Sequence, residues 1–443
     1  MGYNEPNLFS PTIMHYSHST VQTSVFDFGR LDVVVPDDHP LMRILREIPW
    51  DDLTEIVMQN YSARTGRNTK SIRMMMGLEI AKHVLRESDG DLVRRLKTDI
   101  ALKLFCGFHA MDHDVPDSSS LTKFRKKLSE DTLRSLEEAA MRTFIRKAPR
   151  KRRHQVITDS TCMPANITCP YDTKLLAKTW GTLVRELTKA RTAGTKIVIR
   201  GRRQVEKALT SFRKTRKKTK ESAAALTQLL IEESAKLLRQ LEETAQAAAV
   251  QTVSTAKTIL AQQEQMLRTG IRKVKDRIVS FHEPSIRPIH RGKEGGKKVE
   301  FGKKITFNVI GGGLMQTARV DNAAFSDTEM VDDAITTHER TFERKPSEIN
   351  ADRGAHSPEN HDRLASDDIL DGIQYRGRMP KKAKAPPGTV RKRMERQRST
   401  VEGKIGTWKT RYGGHINTYK EDHARVRITF GLLGMNAMWA ASR

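Results

Sequence analysis

The sequence has little of what secreted and membrane proteins need. Cysteine occurs three times in 443 residues, at Cys106, Cys162 and Cys169, too few for a disulfide framework, which points to a reducing cytoplasm. Long hydrophobic runs are missing as well. The best candidate, Phe430 to Ala441, falls short of the roughly 18 apolar residues of a membrane span, and Asn436 interrupts it. The opening MGYNEPNLFS has neither a basic segment nor an apolar one, and Pro6 stands where myristoylation would want Ser or Thr, so no secretory signal or lipid anchor is expected. The Gly311 to Gly313 run lacks a following Gly-Lys-Ser/Thr, which rules out a phosphate-cradling nucleotide loop and leaves no sign of a small-molecule substrate.

Positive charge is what the chain has in excess. Its 79 Lys and Arg against 53 Asp and Glu give a net charge of +26. Hydrophobic residues make up 37%, lean but sufficient for a core at this length, so wholesale disorder is excluded. A soluble chain this basic needs an anionic partner, and nucleic acid is the commonest.

Helical periodicity dominates from Pro40 to Ala148: Leu41, Ile44, Leu45 and Ile48 recur at helical spacing, as do Ile72, Met75, Met76, Ile80 and Val84. Ser88, with Asp91 three positions on, predicts the start of a helix running through LVRRLKTDIALKLFCGF. VPDSSSLTKFRKKL then predicts a capped helix with Phe124 and Leu128 on one face and Arg125, Lys126 and Lys127 on another. A basic final helix after short turns suits a DNA-binding helical domain, with those three cations as candidate phosphate contacts. A basic run, IRKAPRKRRH, links this region to the next.

Val156 and Ile157 form a short buried strand ending on Asp159, after which the chain is helical from about Tyr171 to Ile278. In that stretch Leu226, Leu230, Leu237 and Leu241 mark one helical seam, Val253, Ile259, Leu260, Leu267 and Ile271 a second, and SFRKTRKKTK is strongly basic. KKITFNVIGGGLMQTARV predicts a β-hairpin, followed by a helix around Asp327 to Phe342, a strand into Asp352, a strand over Asp371 to Met379, a basic loop through KKAKAPP and a last helix from near Arg398. Strands interleaved with helices make this part α/β.

Three acids stand out: Asp159 and Asp352 at predicted strand ends, and Glu402 on the last helix. Carboxylates from separate elements can converge on a pair of divalent metals about 3.5–4 Å apart that activates water or a 3′-hydroxyl on a phosphodiester. Magnesium suits oxygen donors of this kind. Arg398 lies four residues before Glu402 and Lys409 seven after, so all three charges share a helix face. Cys106, His109 and His113 lack a fourth zinc ligand, Cys162 and Cys169 with His154 are no better, and His356 reads as a loop histidine held by a hydrogen bond.

These motifs resemble the DDE transposases of bacterial insertion sequences, in the branch around insertion-sequence family five. VITDST matches the context of the first acid, NADRGAHSPEN that of the second, and Arg398, Glu402 and Lys409 match the spacing of the third. The Tyr of that last pattern is replaced by Glu395. The Phe-Cys-Gly segment followed by Pro-Asp, Ser and a basic helix resembles the family's N-terminal domain, and VSFHEPSIRPIHRGKEGGKKVEFGKKITFNVI its approach to the second acid.

The resemblance implies a ribonuclease-H-like catalytic domain over 149–179 and 276–443, interrupted by a helical insertion over 180–275. An arm over 1–39 and a helical DNA-binding domain over 40–148 would precede it. It implies two Mg²⁺ (or Mn²⁺) ions held by Asp159, Asp352 and Glu402, phosphate contacts from Arg398 and Lys409, and cleavage at terminal inverted repeats with joining of the 3′-hydroxyls to target DNA. A homodimer pairing two element ends, in the bacterial cytoplasm and nucleoid, belongs to the same expectation. A DNA-binding protein without catalysis and a metal-dependent nuclease of the same fold are the alternatives.

Overall fold

The structure is a computed structural model and describes residues 35–61, 70–108, 115–165, 167, 171–244, 250–290, 299–377, 387–413 and 421–443. Most of the expected arm, His109, His113, Cys169 and most of the KKAKAPP loop lie outside the described residues. The chain divides into two compact units, one of 1–163, 304–321 and 325–443, the other of 164–303 and 322–324. Among the described residues no helix is long and apolar enough to cross a membrane.

Among the described residues the first unit opens with seven helices: α1 (Pro40–Leu45), α2 (Trp50–Met58), α3 (Ile72–Leu85), α4 (Asp89–Leu96), α5 (Ile100–Phe105), α6 (Ser118–Arg125) and α7 (Glu130–Phe144). Short polar side chains punctuate them, because each satisfies a backbone N–H that the first helical turn leaves free. Ser71 accepts from Met74, Ser88 from Asp91, Asp117 from Ser119 and Ser120, and Ser129 from Thr132. The single helix expected after Ser88 is two, because Asp99 accepts from the Leu102 N–H at 2.8 Å and caps a new start. Nearly every residue of α3 is buried, the polar Arg73, Glu79 and His83 included, as befits a helix at the centre of a core.

β1 (Gln155–Pro164) follows, and the second unit then contributes α8 (Asp172–Thr192), α9 (Arg202–Lys214), α10 (Lys220–Glu243), α11 (Val250–Thr269) and β2 (Pro288–His290). Its core joins Leu175, Leu183 and Leu187 of α8, Val205 of α9, Leu226, Leu230, Leu237 and Leu241 of α10, and Ile259 and Leu260 of α11. Both predicted seams therefore point inward, although Ile271 lies past the end of α11 and is exposed.

β3 (Val299–Ile310) and β4 (Leu314–Asp321) form the expected hairpin, followed by α12 (Met330–Phe342), β5 (Glu348–Ala351), α13 (Pro358–Ser366), β6 (Leu370–Ile373), α14 (Gly388–Arg411) and α15 (Glu421–Ala440). The sheet runs β4-β3-β1-β5-β6, with β3 and β4 antiparallel and β1, β5 and β6 mutually parallel; β2 pairs with Val299–Phe301. Two corrections concern element limits. β1 runs on past Asp159 to Pro164, so that acid lies within the strand. The last basic helix starts at Gly388, a full ten residues before Arg398, with Pro387 as its cap.

Helices α1 to α7 do not form a body apart from the strands: their core continues through Val156, Ile310, Leu314, Ile349, Phe430 and Trp439. Two devices join the parts. Residues Gly311 and Gly313 turn the hairpin against the helices; a Cβ on Gly311 would stand 2.8 Å from that of Ala148, and one on Gly313 would overlap the Trp439 indole. The outer edge of β4 is closed by side chains: Asn436 of α15 accepts from the Met315 N–H at 2.9 Å and donates to its carbonyl at 2.7 Å, while Glu137 of α7 accepts from Thr317 N–H at 3.1 Å. Asn436, the polar break in the last apolar run, thus satisfies backbone groups that an edge strand would otherwise leave open.

Candidate active site

The register of two parallel strands brings the first two acids together. Gln155, Val156 and Ile157 of β1 face Glu348, Ile349 and Asn350 of β5, so the same offset carried two residues further sets Asp159 opposite Asp352. Neighbouring strands lie about 4.8 Å apart. Side chains alternate along a strand, which puts Asp159 on the side of Ile157 and Asp352 on the side of Asn350. Ile157 packs in one cluster with Val401, Ile405 and Trp408 of α14, and Asn350 donates to the Met394 carbonyl of α14 at 2.5 Å. Both acids therefore belong to the face that α14 covers, and Glu402 lies on α14 next to Val401.

Electrostatics report the same convergence. Burial pushes the Asp159 carboxyl up to about 6, the Asp352 charge adds to the rise, and Glu402 and Asp327 contribute further; the Ser160 N–H, donating to Asp159 Oδ1 at 2.7 Å, only partly offsets them. Such a rise means acid charge gathered in a place where water screens it poorly. Glu402 itself is exposed, and Asp352 is half-buried, capping the turn Arg353–Ala355 through a 2.8 Å bond from Gly354 N–H.

Asp327 is a fourth acid at this site that sequence reasoning does not single out. It accepts from the Ser160 hydroxyl at 3.0 Å and from Lys304 Nζ at 2.6 Å, and a Cβ on Gly354 would stand 2.9 Å from its Oδ2. Its sequence signal is that of a helix start, and a capping box of Ser326 and Glu329 does surround it. The Lys304 ammonium forms an ion pair with it.

The loop after β6 carries no sequence signal either. Arg376 donates to the Arg353 and Gly354 carbonyls at 2.8 and 3.1 Å, while the Gln374 N–H reaches the Ala351 carbonyl at 3.3 Å. Gln374 Oε1 accepts from Arg398 Nη1 at 2.5 Å, tying the α14 cation to the Asp352 turn. Nearby, His356 meets His361 at 2.8 Å, and His361 bonds the Asp371 carboxylate and stacks on Tyr375. Lys409 lies half-buried in the last turn of α14, and Glu395, in the place of the resembled Tyr, pairs with Arg391.

The basic helix α6 requires a correction. Arg125 is 6% exposed and turned inward, donating to Glu79 at 2.8 Å and through two nitrogens to Asp89 at 2.7 Å each. Burial pushes the Glu79 carboxyl up, whereas Asp89, despite its partial burial, is held low by Arg125 and Lys82. With three of its five N–H donors held by two carboxylates and the side chain buried, this guanidinium is not presented to phosphate at the surface. Lys126 and Lys127 are exposed, Lys127 lying over the Tyr61 ring at 4.1 Å.

The donor set of the three acids is all carboxylate oxygen, the chemistry that Mg²⁺ and Mn²⁺ prefer. Among the described residues, no group of three His, Cys, Asp or Glu is already gathered closely enough to ligate one ion. Cys106 is buried beside Arg73, and burial pushes its thiol up to about 12, which fits a packed core residue and no metal ligand.

An α/β core with acids clustered at one end of a parallel strand pair is a class shared by many enzymes. Residues 29–127 match the family described as Transposase domain (DUF772). An uncharacterised protein, ORF8 in the nfe locus of Rhizobium meliloti, is 32% identical over 165 residues, which is 36% of this chain and 78% of that protein. The chain belongs to this transposase-domain family. No solved structure matches it.

Proposed function

We propose that the chain is a DDE transposase with a ribonuclease-H-like catalytic core, which cleaves DNA at the ends of an insertion element and joins the exposed 3′-hydroxyls to target DNA. The observation that carries this reading is the placement of Asp159 opposite Asp352, on the sheet face covered by the helix bearing Glu402. Those three carboxylates would hold Mg²⁺ or Mn²⁺, two ions per site, which when bound activate the attacking oxygen and stabilise the leaving one.

The chain's own groups have definable tasks. The Ser160 N–H fixes one oxygen of Asp159, and the Gly354 N–H one oxygen of Asp352. Arg398, tethered by Gln374, and Lys409 on the same helix would bind phosphate beside the reacting bond, contacts that place DNA without reading its sequence. Lys126 and Lys127 would touch the backbone of the terminal repeats, with residues 40–148 supplying their recognition. Two ends held together call for a homodimer at work in the bacterial nucleoid.

The test is an assay of wild type and Asp159→Asn on duplexes carrying the element's ends, with Mg²⁺ or Mn²⁺. Cleavage and joining by wild type and at least a hundredfold loss in the variant are expected. Equal cleavage by both sinks the assignment, cleavage without joining makes the protein a nuclease, and binding without cleavage makes it a DNA-binding protein.

A further inference from the structure

We propose that the outward face of α9, with the adjoining groove on α8, is a second DNA-binding surface that grips the phosphate backbone without regard to sequence. The choice of DNA among polyanions rests on the proposed function; the surface itself does not depend on the acids. Between Lys196 and Lys220 the chain carries eleven Lys or Arg and a single acid, Glu206. All eleven cations are exposed, and among the described residues only Arg202 has a carboxylate partner, Glu206 at 2.8 Å. Left to itself, such a stretch repels its own charge.

Helical geometry sorts these residues cleanly. At about 100° per residue, Arg202, Arg203, Lys207, Arg213 and Lys214 fall within roughly 140° of arc, and Val205, Ala208, Leu209 and Phe212 fall on the opposite side. The apolar four pack into the core of the second unit, Val205 completely. The cationic face is therefore free of apolar side chains. That argues against an anionic membrane, which holds a surface helix through an apolar face sunk between lipids. Val198, 66% exposed in the segment before α9, is a lone exception.

A groove gives the charge a shape to fit. It is an open furrow of about 700 Å³ along α8, lined among others by Arg185, Thr188, Lys189 and Thr192, and it ends at Arg202 of α9. Lys189 is shared with Glu186 at 2.9 Å, and Arg185 is exposed. Hydroxyls and cations in one furrow match the donors that phosphate oxygens accept. The 13 residues of α9 extend about 20 Å, the length of roughly six base pairs.

The experiment measures binding of the full chain to a fluorescent duplex of arbitrary sequence across a salt series in EDTA, so that catalysis plays no part. A variant with Arg203, Lys207, Arg213, Lys214 and Lys217 all changed to glutamine should bind at least tenfold more weakly at low salt. Its plot of log affinity against log salt should be shallower by about one for each phosphate no longer neutralised. Because all five side chains are exposed, the variant should melt with wild type, and Arg203→Gln alone should show a correspondingly small change. An unchanged affinity and slope overturn the proposal. So does a loss confined to phosphatidylserine vesicles with duplex binding intact. If Asp159→Asn proves as active as wild type while the salt effect persists, the catalytic reading fails and this surface stands.

Discussion

Asp159 in β1 and Asp352, directly after the end of the parallel neighbour β5, stand at the same level, although the whole second unit lies between them in the chain. Burial, with the repulsion of Asp352 added to it, holds a proton on Asp159 up to about pH 6. The folded state thus binds a proton more tightly than the unfolded chain, whose Asp titrates near the ordinary value of about 3.9. Stability from this group is present at low pH and is lost as pH rises through about 6.

The Asp159→Asn variant, free of metal, should therefore be more stable than wild type at pH 8 by about 1–3 kcal/mol, with the difference gone below about pH 4. Chemical denaturation at the two pH values checks this. Adding Mg²⁺ at pH 8 should raise the melting temperature of wild type and leave the variant unmoved.

Arg125→Ala should cost about 3–5 kcal/mol, because it strands the Glu79 carboxylate in a buried place and leaves Asp89 to Lys82 alone. Lys126→Ala and Lys127→Ala should each lie within about 0.5 kcal/mol of wild type and instead weaken DNA binding. Equal destabilisation by all three would contradict the inward placement of Arg125. Urea denaturation separates the cases.

Glu137 is the hub of a buried network, accepting from Arg425 at 2.7 Å, from the Thr429 hydroxyl at 2.6 Å and from the β4 backbone. Glu137→Ala should destabilise the first unit by about 3–5 kcal/mol, and faster amide exchange at Thr317 should accompany it. Slow exchange there in the variant would show that another group closes the β4 edge.

Gly311→Ala should destabilise by about 1–3 kcal/mol, since the turn there has φ +64 and the new methyl meets Ala148 and Ile145. Gly388→Ala, at an open helix start, should be neutral or slightly stabilising. Thermal melts of the two variants compare a packed glycine with a free one.

What the sequence disclosed follows from how locally each feature is encoded. The hairpin over Lys303 to Val320 and the α10 seam are written in neighbouring residues, and both stand in the structure. Asp159 and Asp352 draw attention through their short apolar approaches, yet their pairing depends on a register that no local pattern contains. Arg125 misleads for the same reason: its charge resembles that of Lys126 and Lys127, while its partners sit on α3 and at the start of α4. Asp327 hides in a helix-start motif, Arg376 acts through backbone carbonyls, which every sequence possesses, and Gln374 meets Arg398, a partner distant in the sequence.

Hairpin tips are ordinarily where a protein accepts extra residues, tags or cuts with little harm. The Gly311 to Gly313 tip is different, since Ala148, Ile145 and Trp439 close over it. A tag or protease site placed there should be refused by the fold, whereas the span between β1 and β3 already carries an entire unit with its own core. For splitting, labelling or circularly rearranging this chain, the surface segments of that second unit, such as the one holding Val198, are the places to open it.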